Sequence, residues 1–280
     1  MKVAAVQINA GENKLSNISN VLSFIDKAAN KGAELIALPE YVDYLDEDAR
    51  RLDISETLPG MTSELFSKKA TEHGIYIHCG SIMEKGENSK IYNTSILFNK
   101  QGEIIKKYRK IHLFDAQLGG RIIEKESSFL EPGNEIVTAE TEYGAVGFSI
   151  CHDLRFPEVF RSLALKGAKV IFVPASFAFY TGASHWEVLL RARAIENQCY
   201  IVAANQFGRA EPNRSLYGNS MIINPWGTVI ARAGEQEDII MADIDFNYIE
   251  KTRTNLPSLL NRRPDVYDTL SLNGHKTSND

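Results

Sequence analysis

The sequence predicts an α/β fold of four layers, helix–sheet–sheet–helix, made of two related halves, and three features of the 280-residue chain predict it. Short apolar runs of strand length alternate with stretches whose apolar residues recur at helical spacing, the pattern of strand–helix–strand units. One such unit has an internal echo: Lys31-Gly32-Ala33-Glu34-Leu35-Ile36-Ala37-Leu38-Pro39 returns as Lys166-Gly167-Ala168-Lys169-Val170-Ile171-Phe172-Val173-Pro174. Right-handed crossovers put the helices of each half on one face of its sheet, which leaves two bare sheet faces to pack against each other. No linker or shift in composition divides the chain. It reads as a single domain over 1–280, with a C-terminal extension over about 245–280.

The elements follow in order. Residues 2–8 form a first strand, and Leu15, Ile18, Val21, Leu22, Ile25 and Ala29 then mark a helix that Gly32 ends. Residues 33–38 are a second strand, closed by Pro39-Glu40. Pro59-Gly60 precedes a helix over about 62–73, and 75–83 reads as one third strand. The runs 90–99 and 103–108 flank Lys100-Gln101-Gly102 as a hairpin. From 111 to 134 the chain is polar and aperiodic, and a loop of that length is usually functional. The apolar run 143–150 is a buried strand that stops at Cys151, after which Pro157 and Glu158 open a helix to about 166. A strand (169–173), a helix (about 184–198) and a strand (200–205) complete the second unit. Pro225-Trp226-Gly227 turns a hairpin between 217–224 and 228–232. Residues 238–244 are the last strand, a short helix follows Asp245, and the polar tail over 273–280 is expected to be disordered.

Composition narrows the function. A net charge of -5 argues against nucleic acid as a partner. No apolar run reaches the roughly 18 residues that span a membrane, and the chain enters a strand at once with no room for a signal peptide. The three cysteines, Cys79, Cys151 and Cys199, are far apart and odd in number, which fits reduced thiols in a cytoplasmic protein. The six histidines show no metal-ligand spacing, and there is no glycine-rich phosphate loop, so neither a metal nor another cofactor is expected.

The chemistry centres on Cys151. A thiol at the carboxyl end of a central strand, next to a helix start, stands where α/β folds present reactive groups, and nearby helical N–H dipoles are expected to lower its pKa. A structural cysteine is the competing reading. Glu40, closing an apolar strand, is a candidate general base. Lys110, a cation among large apolar residues in Tyr108-Arg109-Lys110-Ile111-His112-Leu113-Phe114, is a candidate for stabilising an oxyanion or a thiolate. Each of the three alone is equally compatible with a surface or structural role.

Together they carry a resemblance. Leu38-Pro39-Glu40, Tyr108 to Phe114, and Cys151-His152-Asp153-Leu154-Arg155-Phe156-Pro157-Glu158 resemble the three motifs of the nitrilase superfamily of carbon–nitrogen hydrolases. The likeness runs from Val3-Ala4-Ala5-Val6-Gln7 through Asn224-Pro225-Trp226-Gly227 to Arg263-Pro264-Asp265. It implies a four-layer α-β-β-α sandwich of the nitrilase type and a triad of Glu40 (proton acceptor), Lys110 (oxyanion stabiliser and proton donor) and Cys151 (nucleophile). It also implies Glu126 as a supporting carboxylate and the His152 backbone N–H as an oxyanion donor. Many relatives carry Tyr where this chain has His152, and that side chain is expected to matter less than its N–H. The segment 181–198 is similar to the branch holding deaminated-glutathione amidase and omega-amidase, closer to the former. That implies a small anionic substrate, a linear ω-amide of 2-oxoglutarate, hydrolysed through a thioester without metal or cofactor. Arg155 is the candidate carboxylate grip, a structural pair with Glu158 being the alternative. Phe177, Phe179, Tyr180, Thr181 and Tyr41 are candidate pocket residues. A nitrilase or an N-carbamoyl amidohydrolase with the same triad is the rival enzyme, and a non-catalytic interaction protein on this fold the rival outside enzymes. By family analogy the chain is expected to form a homodimer.

Overall fold

Both faces of the first strand are apolar, and each meets a different layer. In β1 (Lys2–Gln7), Ala4 and Val6 face one way and Val3 and Ala5 the other, all fully buried, as the two-residue period of a strand requires. The computed structural model describes residues 1–45, 51–87, 90–118, 121–210 and 214–267. Its remaining strands are β2 (Leu35–Ala37), β3 (Tyr76–His78), β4 (Ile82–Lys85), β5 (Ile91–Phe98), β6 (Ile104–Arg109), β7 (Asp115–Leu118), β8 (Arg121–Lys125), β9 (Thr138–Thr141), β10 (Gly144–Phe148), β11 (Val170–Phe172), β12 (Tyr200–Ala203), β13 (Phe207–Ala210), β14 (Arg214–Tyr217), β15 (Met221–Ile223), β16 (Val229–Arg232) and β17 (Asp238–Asp243). The helices are α1 (Lys14–Asn30), α2 (Arg51–Ile54), α3 (Met61–His73), α4 (Pro157–Leu165), α5 (Phe179–Asn197), α6 (Phe246–Asn255) and α7 (Pro264–Tyr267).

The two halves are visible as two sheets. β1, β2 and β3 run parallel in the first, and β10, β11 and β12 run parallel in the second. The echoed segments supply β2 and β11, and each is entered through a glycine with positive φ, +85° at Gly32 and +92° at Gly167, a conformation that costs glycine little. Helices α1 and α3 cover the outer face of the first sheet through Val21, Ile25, Phe66 and Ala70. The inner face, with Val3, Ala5, Leu35 and Ala37, packs on Val146, Phe148, Val170 and Phe172 of the second sheet, whose far side takes Val159, Phe160, Trp186 and Leu190 of α4 and α5. Between the sheets His78 stacks on Phe172 at 4.4 Å and bonds Ser95 Oγ at 2.9 Å; burial pushes its pKa down to about 3, so it stays neutral. The helix–sheet–sheet–helix expectation holds.

The departures are local, with one exception. The expected third strand is broken: β3 and β4 pair with successive stretches of β5, at Leu97–Phe98 and Ile91–Thr94. The break is made by Gly80, whose φ of +68° lets Cys79–Ser81 fold against the end of β2. A Cβ on Gly80 would lie 1.9 Å from the Pro39 carbonyl oxygen. In that contact Ser81 N–H donates to Pro39 O, Tyr41 N–H to Ser81 Oγ, and Val42 N–H to Ser81 O. The broken strand therefore holds the residues on both sides of Glu40. The region 111–134 contains the β7–β8 hairpin and a single 3₁₀ turn, Glu126–Ser128. The strand expected at 143–150 is the second arm of a hairpin with β9, whose polar Thr138–Thr141 carries no apolar signal. Helix α5 starts before residue 184 because Gly182, unfavourable in a helix on its own, packs against Tyr217, where a Cβ would come within 2.4 Å. The exception is β17, which leaves the second half and closes the first sheet, antiparallel to β1 from Lys2↔Asp243 to Gln7↔Asp238. Of the C-terminal extension, α6 and α7 are described, while the tail over 273–280 lies outside the described residues. Among the described residues no helix is long and apolar enough to cross a membrane.

The Gly80 contact predicts a measurable cost. Gly80→Ala places a methyl group against a backbone carbonyl and a side chain at positive φ, so the unfolding free energy should fall by about 2–4 kcal/mol in a denaturant titration. A loss within the scatter of surface substitutions would mean that the Pro39 loop is not held this way.

Candidate active site

Three strand ends bring their polar residues to one place. Glu40 follows β2, Lys110 follows β6, and Cys151 lies three residues beyond β10. Glu40 and Lys110 are each 1% exposed and Cys151 8%. Lys110 Nζ donates to Glu40 Oε1 at 2.9 Å and to both oxygens of Glu126, at 3.0 and 2.8 Å, which uses its three N–H bonds. Glu40 Oε1 also accepts from Asn93 Nδ2 at 2.8 Å, and Oε2 from the Ser176 backbone N–H at 2.8 Å. Glu126 accepts from the Tyr41 hydroxyl at 2.7 Å and from Phe114 N–H at 2.7 Å. Every charged oxygen is met, the condition under which a buried ion cluster is tolerated. Burial draws the Lys110 pKa down, but Glu126 and Glu40 outweigh it and hold the ammonium well above its ordinary value.

The cysteine is held by its backbone. Its φ is +45°, rare for a residue with a Cβ, and its N–H donates to Pro174 O at 2.8 Å. The 3₁₀ turn Cys151–Arg155 that follows is locked by Asp153, fully buried, which accepts from Ile150 N–H (2.9 Å), the Tyr108 hydroxyl (2.6 Å), and His112 through its N–H (3.1 Å) and Nδ1 (2.8 Å). Backbone strain of this kind persists where the surroundings over-determine it. The expected lowering of the thiol pKa by helix dipoles is overturned. Burial and then the Glu40 charge push the Cys151 thiol well above its ordinary value, against the opposing pull of Lys110 and of the Ser176 N–H.

A cleft reaches the thiol. It encloses about 250 Å³, part of it open to solvent, and is lined by Phe114, Cys151, His152, Arg155, Ser176 and Phe177, with Ala178 and Thr181 completing it. Glu40 and Lys110 are not on its wall and stand behind Cys151. Among the described residues the His152 backbone N–H has no acceptor. His152 is among the lining residues, and burial together with Lys110 and Arg155 lowers its imidazole pKa to about 4.

The sequence-derived residues therefore divide. Glu40, Lys110, Glu126 and Cys151 come together, and Arg155, Phe177 and Thr181 line the cleft. Arg155 is not paired with Glu158; its guanidinium lies 5.3 Å from the Phe177 ring and bonds His185 Nδ1 at 3.2 Å, with no carboxylate partner among the described residues. Phe179 and Tyr180 are 52% and 77% exposed on the first turn of α5 and do not line the cleft; the early helix start turns them outward. Tyr41 lies behind the cleft as the donor to Glu126. Asn93, Ser176 and Asp153 were not anticipated. Asn93 sits in a run of three polar residues, Asn93-Thr94-Ser95, that gives no sign of burial, and Ser176 acts mainly through its main chain, which carries no sequence signal.

Comparison with known proteins agrees with this geometry. The profile described as "Carbon-nitrogen hydrolase" matches residues 2–254. The chain is similar to the deaminated glutathione amidase of Mus musculus, 41% identical over 99% of this chain and 86% of that protein. It is similar also to omega-amidase NIT2 of Xenopus tropicalis, 38% identical over 95% of this chain and 96% of the other. Among solved structures it resembles Nit3 of Saccharomyces cerevisiae, a member of branch 10 of the nitrilase superfamily, with a TM-score of 0.85 and 34% identity over 94% of this chain and 96% of that one.

The causes acting on the thiol set a sign that titration can read. Glu40→Gln removes a charge that raises the Cys151 pKa and leaves Lys110 and the Ser176 N–H in place, so the thiolate should form at lower pH than in the wild type. The pH dependence of alkylation at Cys151, read by mass on its own peptide, follows this, because the thiolate is the nucleophile. A Cys151 titration that stays put or moves up would contradict the assignment.

Proposed function

The chain belongs to the carbon–nitrogen hydrolase family, and from that premise we propose that it is an amidase that hydrolyses a linear C–N bond through a thioester on Cys151, with Glu40, Lys110 and Glu126 as its acid–base cluster. The observation that carries this reading is the convergence of a thiol, an ammonium and a carboxylate from three distant segments behind one cleft.

The steps follow from what each group is able to do. Cys151 is protonated at rest, so attack requires its proton to pass to Glu40 as sulfur bonds the amide carbon. The oxygen that becomes negative is met by the His152 N–H, a donor worth roughly 3 kcal/mol in comparable sites. Lys110 acts on it mainly by charge, since its three N–H bonds already go to carboxylates; a direct bond would require one of those to Glu126 to be given up. Glu40 then gives its proton to the departing nitrogen as the C–N bond breaks, leaving the thioester. Water donates a proton to Glu40 as its oxygen attacks, and that proton returns to sulfur as the C–S bond breaks and the acid leaves. Glu126 and Tyr41 keep Lys110 in place throughout. No step calls on a metal or an organic cofactor.

The substrate class follows from the cleft and the relatives. Arg155 offers a guanidinium unmatched by any described carboxylate, which supports an anionic acyl chain, and the names of the relatives point to deaminated glutathione or another ω-amide. Tyr180, Val188 and Ile195 are exposed apolar residues along α5, and Gly227, next in sequence to the exposed Trp226, lies against Ile195; this apolar surface supports a homodimer.

A panel of ω-amides, a nitrile and an N-carbamoyl amino acid, scored by ammonia and amine release, tests the reading. Ammonia from an anionic ω-amide is expected, with Cys151→Ala keeping its fold and losing kcat by ~10⁴-fold or more. Equal turnover by that variant, or release from the nitrile or carbamoyl compound alone, would sink it.

A further inference from the structure

Next to the nucleophile, two residues of the cleft lining carry a buried polar side-chain atom with no partner among the described residues. His152 Nδ1 is buried and bonds to none of the described residues, and the Ser176 hydroxyl is in the same position. Both residues line the cleft with Cys151. Neither side chain is adrift. The imidazole is held edge-on by two rings, Phe114 at 5.1 Å and Phe156 at 5.5 Å, and Ser176 is fixed by its N–H on Glu40. The rest of the lining is apolar except for Arg155 and Thr181. With a pKa near 4 the imidazole is neutral through the physiological range, so it presents one N–H and one lone pair. A buried polar atom that a ligand seals in without pairing weakens binding, whereas a ligand oxygen in reach removes that loss.

We propose that the His152 side chain, with the Ser176 hydroxyl, determines substrate specificity by hydrogen-bonding an oxygen carried on the acyl chain, so that the cleft selects amides of oxo- or carboxylate-bearing acids over aliphatic amides of the same length. This rests on the amidase reading and goes beyond it: Arg155 supplies charge, and His152 and Ser176 supply the directional contact. The role is one of recognition at the side chain, separate from that of the His152 N–H at the oxyanion. It is also separate from Ser176's own backbone bond to Glu40.

The test compares succinamate with butyramide. In His152→Phe, which keeps a ring between Phe114 and Phe156, the ratio of kcat/KM for succinamate over butyramide should fall by about tenfold or more, the discrimination expected of one directional hydrogen bond. His152→Asn, whose amide falls near the position of Nδ1, should recover part of that ratio. A fall shared equally by both substrates, leaving the ratio unchanged, would overturn the proposal, because a merely structural role acts on both. Protection of Cys151 from alkylation by succinate against butyrate reads the same ratio without turnover, and a loss of that selectivity in His152→Phe is expected. A wild type that protects selectively but hydrolyses neither amide would count against the amidase reading alone. Should His152→Phe not fold, the ratio in Ser176→Ala decides in the same way.

Discussion

A single buried ammonium, shared by two carboxylates, is the constraint to which the rest of the site conforms. Removing Lys110, Glu40 and Glu126 from water costs more than their mutual attraction returns unless every remaining lone pair and proton is bonded. The protein meets that condition with donors from four places: Asn93 on β5, Ser176 after β11, Tyr41 after β2, and Phe114 before β7. Loss of Lys110 would leave two buried carboxylates uncompensated, at a cost of about 3–5 kcal/mol. The cluster therefore ties strand ends together and limits how far each may shift. Its position is fixed in turn by the Gly80 break, which holds the backbone on both sides of Glu40.

The same cluster decides the state of the thiol. Two carboxylates and one ammonium leave a net negative charge behind Cys151, and the buried sulfur stays protonated. Many cysteine nucleophiles rely on a lowered pKa; here the thiol rests neutral with its base alongside. A resting thiol is a poor target for adventitious electrophiles and oxidants, whose attack needs the thiolate, while a substrate that aligns sulfur, Glu40 and an amide carbon supplies the occasion for transfer. Asp153 has a different duty. Its four accepted hydrogen bonds over-determine the turn and hold Cys151 at its unfavourable φ.

The legible parts of the fold were those written in side chains of one character. The paired segments around Ala33–Leu38 and Ala168–Val173 showed the two halves because both are continuous apolar runs closed by proline. Glu40 and Cys151 stand at the ends of apolar runs and Lys110 among large apolar residues, signals weak singly, and the three were legible together through the resemblance of their segments to one family. What escaped was set by backbone or by long-range pairing. A glycine inside an apolar stretch says nothing of the carbonyl it will meet, so the Gly80 break read as continuous strand. The union of β17 with β1 joins residues more than two hundred positions apart, and no local pattern encodes it. Phe179 and Tyr180 looked like pocket aromatics by composition alone, yet an earlier helix start placed them in solvent.

The site is divided between the halves in a way that separates reaction from recognition. The first half contributes Glu40, Asn93, Lys110 and Glu126, which on the proposed reading move and steady protons and which do not line the cleft. The second half contributes the nucleophile and nearly all of the wall, with Phe114 as the first half's own share. Long-range contacts hold the halves in register at this point: Gln206 donates from Nε2 to the carbonyls of Glu40 and Tyr41, at 3.0 and 3.3 Å, Ser176 N–H donates to Glu40, and Tyr108 and His112 bond Asp153. Substitutions on the wall thus change what enters without altering the balance of buried charge, whereas substitutions in the cluster alter the charge balance for every substrate alike. On the proposed reading, that separation puts selectivity in second-half side chains such as His152, Arg155 and Ser176.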